Sequence, residues 1–361
     1  MQQFSVDIFD RTLSYICNGQ TIISSIDDDY LSPKTNTISI AKVEEEILVG
    51  YFLRLQNEET EFFGLITDVS PGEYSITIQF SSFISIFDET ILFWTLFQGL
   101  EEGHSNPIGA VIAHYIRTYY VSTTDSLMRL PINIHVDQNI TDIMQWTLGI
   151  TRARDNANFA VVNIYQDLII PALKRYGVSI VVKPDFNARL IDCKITISSK
   201  VLNIDGNLDD VTVRTLKYSN RPLGTNKLEV VNNLHPTDII TYYAHPDMSF
   251  NTTNANRITP VAFETRMIVP QEDTTASFQA AALEEAYNVF SGAAWDNLIE
   301  LEVAPDNQNI LPMEMEIGQK VTLWYKGATY SSILTGKTIE DHNVVLLFGS
   351  ERIEYTKRAK R

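Results

Sequence analysis

Any chemistry in this chain would have to come from a few short clusters. "TGKT" at Thr335–Thr338 has the ending of a phosphate-binding loop, in which a lysine and a hydroxyl reach phosphate and Mg²⁺. The opening glycine of such a loop would fall at Ser331, and no helix pattern follows to receive a phosphate, so the match is read as accidental. "DGNLDD" sets Asp205, Asn207 and Asp209 at calcium-loop spacing. The sharp-turn glycine position holds Asp210 and the final glutamate position holds Leu216, so a polar turn is the better reading. His235 and His245 each precede proline. An extended segment would hold them about 33 Å apart, and both read as turn residues. The runs Asp27–Asp29 and Glu44–Glu46 could offer a carboxylate pair for glycoside hydrolysis, but nothing fixes two of them across a cleft. Solvated faces are the expectation. GxSxG and HExxH are absent. The expected catalytic, cofactor-binding and metal-binding residues are therefore none, with no cofactor and no enzymatic activity.

Composition narrows the setting. At 361 residues the chain is too long for one ordinary core, and two to four domains are expected. With 44% hydrophobic and 20% charged residues it reads as folded and soluble. A net charge of −17 argues against a nucleic-acid-binding surface, which needs basic stripes to displace counterions. The basic end, Lys357–Arg361, reads as a solvated tail. Cys17 and Cys193 are the only cysteines, far apart and without metal spacing, so two thiols from a reducing cytoplasm are expected. Asp7 and Asp10 interrupt the first twenty residues, so no signal peptide is read. The strongly apolar run Ile91–Phe97 falls far short of the ~20 residues of a membrane span.

The elements that would position any site change period along the chain. From Ile38 to Phe83 the signals are strands: "YSITIQF" puts Ile76, Ile78 and Phe80 on one face and Ser75, Thr77 and Gln79 on the other. A helix is predicted after Asn106 as N-cap, with Ile108, Val111, Ile112, Tyr115, Ile116 and Tyr119 as its stripe. A second runs Asn163 to Tyr176, capped by Asn163, kinked at Pro171 and stopped by Gly177. Two strands follow around the "DFNA" turn. Further strands are predicted at Lys227–Val231, Asp238–Tyr243 and Val261–Ile268, with "SFNTTNANR" an exposed loop. A helix from Thr274 to Phe290, capped by Asp273 and closed near Gly292, carries Phe278, Ala281, Ala282, Ala286 and Val289 on one side. The end is strand and turn.

One pattern occurs twice. "EIGQKVTLWYKG" from Glu316 answers to "LVGYFLRLQNEE" from Leu48, an offset of 268 that carries Gly50 onto Gly318. Over the 37 gapless pairs from Glu46 to Ser82, six are identical: Glu46/Glu314, Gly50/Gly318, Leu55/Leu323, Thr67/Thr335, Phe80/Phe348 and Ser82/Ser350. Background composition gives about two. The inward residues repeat as well, with Ile76, Ile78 and Phe80 answering to Val344, Leu346 and Phe348. Register in a strand is fixed by its buried face, so a shared face at constant offset implies shared pairing. Where the first copy has Thr77 and Gln79 outward, the second has Val345 and Leu347, a strand expected to be covered on both sides.

The expected fold class is multidomain α+β, predominantly β, with two related β-barrel modules at the chain ends and α+β domains between them. The expected domains are 1–97, an N-terminal barrel; 98–202, α+β; 203–296, mixed, part of whose strands join the last module; and 297–361, a C-terminal barrel repeating the first. This organisation resembles the trimeric hub, or tail-associated protein, at the tip of long-tailed bacteriophages, similar in fold to the central baseplate hub of contractile-tailed phages. The carrying residues are "MEMEIGQKVTLWYKGATYSSILTG…NVVLLFGSERIEY" and the helix–hairpin unit Asn163–Ser198. The resemblance implies a structural virion protein, made in the host cytoplasm and placed at the tail tip. It implies a homotrimer that joins the six-fold tail tube to the baseplate and lines or closes the DNA channel. Implied partners are the distal tail protein, other baseplate or tail-fibre proteins and the tail tube or tape measure protein. Host-envelope contact would be transient, and no stable nucleic-acid binding is implied. The alternative is a carbohydrate-active β protein, a glycoside hydrolase or cell-wall-binding module using acids near Glu44–Glu46.

Overall fold

The computed structural model describes residues 2–58, 60–94, 106–138, 140, 145–146, 159–218, 225–245, 249–255, 262–270, 272–290, 295 and 297–351. The fold is multidomain and predominantly β.

Six strands curve into an N-terminal barrel in the order Tyr15–Ile23, Gln2–Phe9, Phe52–Gln56, Glu61–Pro71, Ser75–Ser82, Asn36–Ala41. Strand alternation turns Val6, Ile8, Leu53, Leu55, Ile78 and Phe80 inward, where all are fully buried. Each such side chain contributes about 1.5–3 kcal/mol relative to exposure. The outermost strands come together across the seam. The Thr21 hydroxyl donates to the Ser39 carbonyl at 2.9 Å. Gly19 permits that approach, since a Cβ there would stand 3.1 Å from the Ile40 Cβ.

A second curved sheet runs in the order Val201–Asp205, Lys320–Tyr325, Ala328–Glu340, Val344–Phe348, Asn297–Val303, Val211–Tyr218. Val321, Leu323, Leu334, Val344, Leu346 and Phe348 form its core. Its first and last strands come from residues 201–218, upstream of the repeat, so this barrel is assembled from two separate stretches of chain.

Between the barrels lies the largest core. Helix α1 (Ile108–Ile116) and helix α2 (Ile170–Tyr176) cover a three-stranded sheet ordered Ile132–Val136, Leu190–Ile197, Val178–Asp185. The α1 stripe is as expected, with Ile108, Val111, Ile112, Tyr115 and Ile116 buried. Just before it, Asn106–Pro107 pairs as a short strand with Gln145–Trp146. Asn163 caps as expected, accepting from the Gln166 N–H at 2.8 Å. The first turns, Ile164–Ile169, are wound as a π-helix that runs directly into α2, with Pro171 in the first turn of α2. Gly177, at φ 74°, ends α2 in the left-handed conformation that glycine adopts without strain.

A smaller unit packs helix α3 (Thr275–Phe290) on a sheet ordered Phe250–Asn251, Ile239–Ala244, Lys227–Asn232, Phe263–Ile268. Phe278, Ala282 and Ala286 meet Leu228, Val230 and Tyr242, the close approach that small residues allow. The α3 cap differs from expectation: the Thr274 hydroxyl accepts from the Ser277 N–H at 3.2 Å, while Asp273 bonds His235 instead. Val261, Gly292 and the basic end at Lys357–Arg361 lie outside the described residues.

Candidate functional site

The repeated strands pair in the same register. In the first copy Phe52 pairs with Leu65 and Leu55 with Phe62; in the second Lys320 pairs with Ile333 and Leu323 with Tyr330, each 268 positions on. Both copies carry a β-bulge at the same place, between Ile66 and Asp68 in one and between Leu334 and Gly336 in the other. Gly50 and Gly318 take φ of 87° and 89°. Their N–H groups donate to Ile66 and Leu334, both at 2.9 Å. Ile66 N–H returns a bond to Tyr51 O at 2.8 Å, and Leu334 N–H to Gln319 O at 2.9 Å. The fourth strand also agrees, since Asn36–Ala41 lies beside Ser75–Ser82 as Asn297–Val303 lies beside Val344–Phe348. The units differ in the next strand out. Gln2–Phe9 runs antiparallel to Phe52–Gln56, whereas Val201–Asp205 runs parallel to Lys320–Tyr325.

The middle hairpin bridges the barrels. At its base Ser179 Oγ donates to Ile317 O at 2.8 Å, and a Cβ on Gly318 would stand 2.9 Å from Ser179 Oγ. At its tip Phe186 stacks on Phe9 with centroids 4.4 Å apart, and the Arg54 guanidinium lies 4.6 Å over the same ring. Arg54 also bonds Asp7 at 2.5 Å.

The acidic run Asp27–Asp29 is neither a solvated face nor an acid pair. Ser25–Asp29 is a strand that leaves the N-terminal barrel and adds antiparallel to Gly336–Glu340 of the C-terminal sheet. Asp28 thereby faces Lys337, the lysine of "TGKT". Burial pushes the Asp28 carboxyl up, opposed by a Ser82 hydrogen bond and the Lys337 charge. Burial pushes the Lys337 ammonium down to about 8, opposed by Asp28 and Glu316. Thr335 of the same motif is buried, its hydroxyl shared between Leu347 O at 3.1 Å and Gly349 O at 2.8 Å. The motif is a strand, and its polar groups are used inside the fold.

The remaining sequence candidates scatter. Glu44–Glu46 lies exposed on the loop before Phe52–Gln56. Asp205 accepts from the Asn207 N–H at 2.9 Å, and Asn207 Oδ1 accepts from the Lys326 N–H at 3.0 Å, so that cluster closes turns upon itself. Among the described residues no group of three His, Cys, Asp or Glu side chains could hold a metal ion. His235 is exposed and bonds Asp273 at 2.7 Å; His245 is buried in another part of the small unit. Cys17 and Cys193 are both buried free thiols, and burial pushes the Cys17 thiol up to about 11. A shallow surface crevice bounded by Phe4, Ser24, Ser25, Ile26, Ile339 and Glu340 encloses no space that could hold a ligand. No described helix is long and apolar enough to cross a membrane.

Sequence reading missed Tyr30. Its N–H donates to Thr335 O at 3.0 Å, its carbonyl accepts the Tyr165 hydroxyl, and its own hydroxyl accepts the Ile180 N–H at 3.1 Å. An isolated tyrosine after three aspartates carries no local signal of such a role.

No family profile matches the chain, and no characterised protein resembles it closely enough in sequence to count as a relative. Solved structures do resemble it over nearly its whole length. A chain of the phage P2 baseplate in its activated conformation with Ca aligns with a TM-score of 0.51 and 11% identity, covering 96% of this chain and 98% of that one. A chain from a topological model of the p2 virion baseplate in activated conformation aligns at 0.51 and 10%, covering 97% and 100%. The prophage tail protein gp18 of Listeria monocytogenes EGD-e aligns at 0.49 and 12%, covering 98% and 96%. The chain has the fold of these phage baseplate chains.

Proposed function

We propose that the protein is a structural component of a phage tail that forms a homotrimeric hub at its distal end, joining the six-fold tail tube to the baseplate. The observation that carries this reading is the doubled unit. Two modules of one register in each chain give three chains six near-equivalent positions, which mate with a hexameric ring without a symmetry mismatch. The reading divides the chain as 1–97, 98–202, 203–296 and 297–361, with strands from 201–218 lent to the last barrel. Its neighbours are the distal tail protein, further baseplate or tail-fibre proteins and the tube or tape measure protein. Three chains of net charge −17 suit a channel that DNA passes without adhering, so the hub lines that channel without catalysing a reaction.

Native mass measurement of the purified protein, alone and with the tube protein, tests the assembly. A mass three times the 40.9 kDa chain in either sample is expected; a dimer, or a monomer in both, overturns it.

A further inference from the structure

The two barrels could in principle move against each other, because the parts of one chain that form six-fold positions need not be fixed in angle. We propose instead that the segment Ser25–Leu31 yokes them into one rigid body, with Tyr30 as its keystone. Where the trimeric reading holds, any opening of the hub then occurs between subunits and not within one.

The chain path, a strand ladder and the bonds of Tyr30 converge on this short segment. A single residue, Ser24, separates Ser25 from the barrel strand Tyr15–Ile23, so the strap has no slack at its start. Five consecutive register pairs, from Gly336↔Asp29 to Glu340↔Ser25, then attach it to the other barrel. At Tyr30 the chain bonds three elements at once: Thr335 in the C-terminal sheet, Tyr165 before α2, and Ile180 in the middle hairpin. Tyr30 is also buried, packed in the central core. Finally, Gly336 lies directly under the strap, and a Cβ there would stand 2.9 Å from the Asp29 Cα. That glycine has negative φ, so its side chain is excluded by the crossing strap and not by backbone conformation. The middle hairpin, held at Gly318 and at Phe9, adds a strut in parallel with the strap. Two separated attachments remove the rotation that one would leave.

The distance measurement is made on the single full-length chain, so that this arm of the test is independent of assembly. Spin labels at Tyr74→Cys and His342→Cys sit on equivalent exposed turns of the two barrels, while native Cys17 and Cys193 are buried. The expected distance distribution is single and narrow. Gly336→Ala should broaden it at least twofold and speed amide exchange in Ser25–Asp29, while Phe52–Gln56 and Lys320–Tyr325 stay protected. If Gly336→Ala fails to fold, Tyr30→Phe serves, removing the acceptor of the Ile180 N–H alone. A disulfide from Asp27→Cys with Thr338→Cys, register partners across the strap, should leave distribution, trimer mass and infectivity unchanged. A broad or two-peaked distribution in the unmodified chain overturns the proposal. So does an unchanged width when the strap amides exchange freely, or a disulfide that blocks infection while the trimer persists.

Discussion

The N- and C-terminal barrels share one backbone plan and treat the same strand edge in opposite ways. In the C-terminal barrel the edge of Gly336–Glu340 is covered by the strap. Its counterpart 268 positions earlier, Asp68–Gly72, lies mostly exposed. There Pro71 stands where the other copy has Ile339, and a proline removes the N–H that a further strand would need. One edge is occupied and the other is blunted, two solutions to the hazard of unpaired strand edges. The turn after each loop diverges similarly. Gly318 is pressed on the middle hairpin, whereas Leu48 and Val49, beside Gly50, are exposed. A repeated register therefore fixes the barrel, while its neighbours decide which residues each position tolerates.

The sharpest way to break this comparison is to charge the outward face of the third strand. Val345 and Leu347 are 4% and 8% exposed, although they alternate with the core residues; Thr77 and Gln79 are only half-buried. Lysine at both Val345 and Leu347 should cost about 2–4 kcal/mol, since each ammonium would lose solvation in a covered position, offset only in part by its register partner, Glu302 or Glu300. The same pair at Thr77 and Gln79 should change stability by about 1 kcal/mol at most. Urea denaturation compares them directly, and equal losses would mean that the two strands are equally covered.

Alanine at the paired glycines sharpens the point. Both positions have positive φ, so each substitution carries a shared backbone cost of about 1 kcal/mol. A Cβ at Gly50 meets only the Arg11 guanidinium at 3.4 Å; at Gly318 it collides with Ser179 Oγ and the Gly177 carbonyl. Gly318→Ala should thus lower stability by about 3 kcal/mol, roughly three times the loss from Gly50→Ala. Comparable midpoints for the two variants would remove the docking contact from the account.

An identical residue gives a cleaner contrast. Thr67 and Thr335 occupy the same register position, one exposed and one buried with its hydroxyl between two carbonyls. Thr335→Val should cost about 1–2 kcal/mol, and Thr67→Val close to none. Thermal unfolding of the two variants reads the difference.

A contrast of another kind is one of pH, at Lys337, whose counterpart is Val69. Lys337 is held near 8 in the folded chain against an ordinary 10.5. Between those values the unfolded chain keeps a proton that the folded chain has lost, so this group's contribution rises with pH across that window. Stability of the natural protein relative to Lys337→Met should therefore improve from about pH 8 to about 10.5. The Cys17 thiol, raised by burial, works in the opposite direction but cancels because both proteins carry it. A difference that stays flat over this range would place the ammonium in solvent.

Much of the barrel architecture was legible because strands write their buried face at every second residue. Ile76, Ile78 and Phe80 against Val344, Leu346 and Phe348 announced a common register, and Gly50 with Gly318 marked a common turn. The Asn163 cap and the Gly177 stop were local signals, and they survived folding. Asp27–Asp29 looked like a solvated run and "TGKT" like a broken phosphate loop, because neither sequence states which distant edge it will meet. Burial of the two together is a property of the assembled sheet, and so is the three-way bonding of Tyr30. The Asp273 cap was lost to a partner far away in sequence, His235. Periodicity and turn chemistry are local and can be read along the chain. Which edge is covered, and by what, depends on contacts more than a hundred residues apart, and only the tertiary structure decides them.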